Sequence, residues 1–161
     1  MHNRLSIIIL CWNDPQATLA CIQQFTNWTS LKPKFFVVDN ASSPTFEGTF
    51  SKEINLVVIR SEVNKGYAGG NNLGISRALS EGFEYLMLLN SDVSIGEETT
   101  LLLLERFNQN PELSAVGPLI YEGDEIHAGG RDIAIHPQTR MLWNDQLMDL
   151  AVDMIDVDYI P

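Results

Sequence analysis

Cysteine, positive charge and long apolar runs are all scarce in this sequence of 161 residues. There are two cysteines, Cys11 and Cys21, with no CxxC spacing and no histidine close by in the sequence, which excludes a disulfide framework and a zinc ribbon. Both are expected as reduced core residues. Ten lysines and arginines face 21 aspartates and glutamates, a formal net charge of −11. Proteins that grip a phosphate backbone carry a basic patch that releases counterions, so nucleic acid and anionic membrane are excluded as principal partners. The apolar run Leu5–Trp12 is far short of the roughly 20 residues that span a bilayer and lacks a small-residue cleavage site. A cytoplasmic location is expected, which makes the sequons at Asn27 and Asn40 chance matches. No repeat or low-complexity tract is present.

What remains is ample for a core: 45% of residues are hydrophobic, and a chain this long buries about 70% of its unfolded surface. Four short apolar segments, Leu5–Leu10, Phe35–Val38, Ile54–Ile59 and Tyr85–Leu89, read as buried parallel strands. Pro15 to Asn27 reads as a helix capped by Asp14, with Pro15 at its first position. Further helices are expected from about Asn71 to Ser80 and from Gly96 through Phe107. The alternation gives an α/β fold with a mostly parallel sheet flanked by helices. Past Ser114 a strand at Ala115–Tyr121, a small ribbon of Arg131–Ile135 with Met141–Asn144, and a helix at Gln146–Ile155 are expected.

Acidity is concentrated at the end. Residues 122–161 hold nine acidic and two basic groups, against 12 and eight before them. Asp145, Asp149, Asp153 and Asp156 would stack near one helical face, which reads chiefly as a solvated surface. His127 and His136 sit among turn residues, and packing accounts for Trp28 and Trp143 better than ligand stacking does. Trp12, beside Asn13, could cover a base.

Polar residues gather where parallel strands end, the edge at which open α/β sheets bind ligands. The first strand runs into Asn13-Asp14 and the second into Asp39-Asn40-Ala41-Ser42-Ser43. The third leads to Asn64-Lys65-Gly66-Tyr67-Ala68-Gly69-Gly70-Asn71-Asn72, and the fourth to Asn90-Ser91-Asp92. Taken singly, each has a structural reading: Asp39 as a turn cap, the glycines as a tight turn, Asn90-Ser91-Asp92 as an Asx turn. Their functional readings are a carboxylate for ribose or base, a backbone that lets phosphate approach a helix N-terminus, and oxygen ligands for a hard cation. Neither GxGxxG nor a P-loop is present. A receiver-like domain would also set acidic residues at strand ends, but its acidic pair after the first strand and its late lysine are not visible.

Four segments in order, Ser6–Asn13, Phe36–Ser42, Asn64–Gly74 and Leu88–Asp92, resemble the family 2 glycosyltransferases of the GT-A, Rossmann-like fold, and within them the rhamnosyltransferase-like members. The resemblance runs from Leu5 to about Tyr121. It implies a donor-binding domain over 1–121, with 122–161 as an irregular, acidic and incomplete start of the acceptor-binding part. It also implies an inverting transferase that uses a nucleotide-diphosphate sugar, dTDP-rhamnose being one candidate, to build a polysaccharide on a glycan or lipid-linked acceptor. By resemblance, Asn13 and Asp39 meet the donor's base and ribose, Gly66, Asn71 and Asn72 belong to the same pocket, and Asn90 meets ribose or metal-bound water. Asp92 is similar to the last aspartate of the family's DxD motif, which ligates Mg²⁺ or Mn²⁺. No residue matches the family's general base. The chain is therefore expected to be cut short before the acceptor half, and any peripheral membrane contact to lie in the missing regions. The alternative is a nucleotide-sugar-binding module without turnover.

Overall fold

The computed structural model describes residues 4–46 and 54–123, together with the backbone of three short strands beyond them. Residues 1–97 and 98–161 form two compact units.

The first unit opens with β1 (Leu5–Cys11), then α1 (Pro15–Gln23) and a 3-10 turn over Gln24–Asn27. It continues through β2 (Lys34–Asn40), β3 (Leu56–Ser61), α2 (Gly66–Ser80) and β4 (Tyr85–Leu89). Every pairing in this four-stranded sheet is parallel, in the order β3-β2-β1-β4. The central strands β1 and β2 are buried nearly throughout, which is why they read as unbroken apolar runs. The expected α/β architecture, a mostly parallel sheet with flanking helices, is the one observed.

Alternation along the strands divides the core between two faces. Ile8, Phe36 and Val38 pack with Ala78 of α2. Gly74 lets α2 approach closely, since a Cβ there would lie 2.5 Å from Ile8 Cγ2 and 3.2 Å from Val38 Cγ2. Phe35, on the other face, meets Phe25 edge-on at 5.0 Å, and Phe25 meets Trp28 at 4.5 Å. Aromatic pairs in this arrangement contribute about 0.5–1.5 kcal/mol beyond the area they bury.

Several boundaries differ from the sequence reading. The helix from Pro15 stops at Gln23 and tightens into the 3-10 turn. Asp14 caps it as expected, its Oδ1 accepting from the Ala17 N–H at 2.9 Å. The helix α2 starts at Gly66, five residues before the expected Asn71, so most of the glycine-rich stretch is helix and not loop. Gly70 brings this helix close to the sheet: a Cβ there would lie 2.4 Å from Leu10 Cδ1 and 3.3 Å from Asn40 Nδ2, so one of them would have to give way.

In the second unit, α3 runs over Glu97–Gln109 with Glu97 at the boundary. The strand expected at Ala115–Tyr121 shrinks to β5 (Ile120–Glu122), antiparallel to β6 (Glu125–Ala128). A ribbon is present as β7 (Arg131–Ile133) paired antiparallel with β8 (Thr139–Met141), its second strand lying before the expected Met141–Asn144 and sharing only Met141 with it. The helix expected at Gln146–Ile155, the acidic stack, His136 and Trp143 lie outside the described residues. No helix among the described residues is long and apolar enough to cross a membrane.

Candidate functional site

Because all four strands are parallel, their carboxyl ends share one edge, and the order β3-β2-β1-β4 reverses direction between β1 and β4. Ligands of open α/β sheets bind in the crevice at such a reversal. Asn13 follows β1 and Asn90-Ser91-Asp92 follows β4, one on each side of it. Asp39 ends β2, and α2 begins beyond β3.

The β1 and β2 ends are wired together. Asn13 has a φ of 58° and Ala41 a φ of 64°, both left-handed, a conformation that costs an alanine about 1–2 kcal/mol. The Asn13 N–H donates to Ser42 Oγ at 3.0 Å, and the Ser43 N–H donates to Asn13 Oδ1 at 2.8 Å. Asp39 is fully buried. Its Oδ1 accepts from the Ser42 N–H at 2.9 Å, and its Oδ2 from the Phe46 N–H at 2.9 Å and the Arg60 guanidinium at 2.6 Å. Burial alone would push this carboxyl up, but the bonds from Ser42, Phe46 and Arg60 outweigh it and hold the group below the usual carboxylate range. The Ser42 hydroxyl leans on the carboxylate as well, so its donors match the roughly four acceptor sites a carboxylate offers. Asp39 thus shapes the 41–46 turn from a position closed to solvent.

A second latch sets the start of α2. Buried Asn40 donates to Asn64 Oδ1 at 2.9 Å and to the Gly66 carbonyl at 3.2 Å, and accepts from the Lys65 N–H at 2.9 Å. Asn64 Oδ1 also takes the Gly66 N–H at 2.8 Å. Gly66 itself has a φ of +69°, which glycine adopts at no steric cost. Asn71 turns back into its own helix, donating to the Tyr67 carbonyl at 3.0 Å, whereas Asn72 is exposed.

Beyond β4 the chain makes a turn in which the Val93 N–H donates to the Asn90 carbonyl at 3.2 Å. Asn90 and Asp92 are exposed, and among the described residues no hydrogen bond or ion pair engages the Asp92 carboxylate. Cys21 is buried beneath this turn, donating weakly to the Asn90 and Val93 carbonyls. Burial, eased by Gln24 and reinforced by the negative charge of Asp92, pushes its thiol up to about 11. Both cysteines are free and buried, as expected. Farther along, the Glu97 carboxylate collects the N–H groups of Thr29, Ser30 and Leu31 at 3.0, 2.7 and 2.6 Å.

No cluster of three His, Cys, Asp or Glu side chains that could cage a metal exists among the described residues. A hard cation of the Mg²⁺ type does not need one, since it binds through one or two carboxylates with water and substrate phosphates. A single exposed, unengaged carboxylate at Asp92 with the exposed amide of Asn90 fits that chemistry. Sequence reasoning placed Asn40 and Ser42 on this edge without giving either a role, and missed Arg60 and Gln24. Arg60 carried a signal, being the one charge in an apolar strand, and Gln24 carried none.

The fold defines an α/β domain built on a parallel sheet. The chain belongs to glycosyl transferase family 2, whose model matches residues 6–155. It is 32% identical over 127 residues to the low-salt glycan biosynthesis hexosyltransferase Agl10 of Haloferax volcanii, covering 78% of this chain and 39% of that one. It is 25% identical over 115 residues to the poly-beta-1,6-N-acetyl-D-glucosamine synthase of Staphylococcus epidermidis, covering 70% and 27%. Among solved structures, UDP-bound S. aureus TarS 1-349 aligns with a TM-score of 0.47 at 18% identity over 74% of this chain and 39% of that one. The chain thus spans between a quarter and two-fifths of the length of these curated relatives.

Proposed function

We propose that this chain carries the donor-binding part of an inverting glycosyltransferase that moves a hexose-type sugar from a nucleoside diphosphate to a glycan or lipid-linked acceptor, in the cytoplasm, during polysaccharide synthesis. The observation that supports it most is the exposed Asp92 carboxylate beside the reversal of the sheet in a family 2 chain. The names of the two curated relatives, a hexosyltransferase and an N-acetylglucosamine polymer synthase, support the substrate class.

In this reading Asn13 lines the base and ribose pocket, and Asp39, fully buried, shapes that pocket through the 41–46 turn. Gly66 opens α2 without a side chain in the way, Asn71 and Asn72 extend the same wall, and the Asn90 amide faces ribose or metal-bound water. Asp92 would hold Mg²⁺ or Mn²⁺, which when bound offsets the negative charge growing on the departing nucleoside diphosphate. The residues of 122–161 begin the acceptor side. Inversion follows from in-line attack by the acceptor hydroxyl on the anomeric carbon, the hydroxyl losing its proton to a carboxylate base as the nucleoside diphosphate departs.

The test is calorimetric titration with UDP and dTDP, each with and without Mn²⁺. Asp92→Asn is expected to abolish the metal-dependent part of nucleotide binding while leaving thermal unfolding unchanged. Equal binding by parent and variant would overturn the assignment of Asp92.

A further inference from the structure

The turn that carries Asp92 is held from below by a side chain that no motif contains. Gln24, in the 3-10 turn that extends α1, places its amide against the backbone of 93–95. Its Nε2 donates to the Val93 carbonyl at 3.2 Å, and its Oε1 accepts the Ile95 N–H at 2.7 Å. One planar amide therefore pairs with a carbonyl and an N–H two residues apart, as a neighbouring strand would. The amide is itself oriented, since Nε2 also donates to the Cys21 carbonyl at 2.7 Å. Three residues earlier on the same helix, the Cys21 thiol reaches the Asn90 and Val93 carbonyls at 3.7 and 3.8 Å. The segment 90–95 is thus fastened on both sides of Asp92, although it contains no regular structure of its own.

The geometry points to Gln24 as a positioning residue for Asp92: through Val93 and Ile95 it fixes the turn from which the Asp92 carboxylate meets the donor's metal–diphosphate group. This rests on the proposed role of Asp92. A carboxylate on an unsupported turn would have to be ordered at the moment of binding, and that ordering cost would appear as lost affinity. Gln24 acts without touching the ligand, because its polar atoms are engaged by the protein.

The test uses Gln24→Met, which keeps the length of the side chain and removes both polar ends, and Gln24→Glu, which keeps the acceptor for the Ile95 N–H and loses the donor to Val93. The probe is UDP titrated with and without Mn²⁺. Gln24→Met is expected to weaken the Mn²⁺-dependent part of UDP binding about tenfold with little change in the metal-independent part, and to speed hydrogen exchange at the Ile95 amide. Gln24→Glu should fall between parent and Gln24→Met in exchange at Ile95. Combined with Asp92→Asn, Gln24→Met should cost no further affinity, since both act through one carboxylate. A Gln24→Met variant that binds like the parent, or that loses metal-dependent and metal-independent binding alike, overturns the proposal. Should Asp92→Asn alone leave binding unchanged, or the parent bind no UDP, the role of Asp92 falls and this inference with it. That outcome is distinguishable because the failure is already present without any change at Gln24.

Discussion

Gly74→Ala tests whether α2 really rests on the sheet as closely as the structure has it. The added Cβ would stand 2.5 Å from Ile8 Cγ2, about 0.9 Å inside the 3.4 Å at which ordinary contact begins, and 3.2 Å from Val38 Cγ2. Ile8 and Val38 are fully buried β-branched residues on the two central strands, so neither can swing aside as an exposed or unbranched side chain could. Overpacking of this kind costs about 1–3 kcal/mol. Against it stands the better helix propensity of alanine, about 0.8–1.0 kcal/mol in a helix interior. The clash wins, with a net loss of about 1 kcal/mol and at most about 2. Urea denaturation followed by circular dichroism, with the slope unchanged and the midpoint lowered, is the expected record. Ile8→Ala in the same chain should absorb the added methyl, making the double variant less destabilised than the two single losses added together. A Gly74→Ala chain as stable as its parent, or strict additivity with Ile8→Ala, would refute the packing argument.

Other perturbations follow from the same contacts. Arg60→Met leaves the buried Asp39 carboxylate with two backbone donors; Arg60 is about a third exposed, so the loss at pH 7 should be about 1–2 kcal/mol and not the 3–5 of a fully buried pair. Asp39 titrates below its ordinary 3.8 in the folded chain, so its contribution is present above about pH 4 and fades as pH falls through the folded value. The gap between parent and Arg60→Met in urea midpoint should therefore narrow below pH 4, and a gap constant from pH 7 to 3 would contradict the ion pair. Asn40→Ala strands the Lys65 N–H and two acceptors, for an expected loss of about 1–3 kcal/mol by thermal unfolding; no loss would mean that the latch on α2 is idle. With its thiol pushed up to about 11, Cys21 should alkylate about two orders of magnitude more slowly at pH 8 than a free thiol, and labelling at the free-thiol rate without denaturant would contradict its burial.

Much of the fold and of the candidate site is legible in the order of the amino acids. Leu5–Leu10 and Phe35–Val38 announce buried parallel strands, because a strand covered on both faces has no polar side to show, whereas Tyr85–Leu89 is parallel as expected but only partly buried at the end of the strand order. Asp14-Pro15 announces a helix start, because capping depends on neighbours in sequence. The polar ends of those strands point to one sheet edge, since parallel strands share their direction. The four motif segments point to the family whose model matches the chain.

Tertiary structure alone decided the rest, and the reason is common to each case. The segment from Gly66 reads as a loop by composition, yet it is helix, and its glycines at 70 and 74 serve close packing, since Leu10 and Ile8 lie where side chains there would be. Asp39 reads as an available carboxylate, yet Arg60, Ser42 and Phe46 converge on it from a strand and a turn brought beside it by folding. Gln24 has no pattern at all: its partners Val93 and Ile95 lie some 70 positions away, and only the packing of α1 beneath the β4 turn brings them within hydrogen-bond reach. Local chemistry is written in spacing, whereas the partners of a buried polar group are chosen by which distant segments the core draws together.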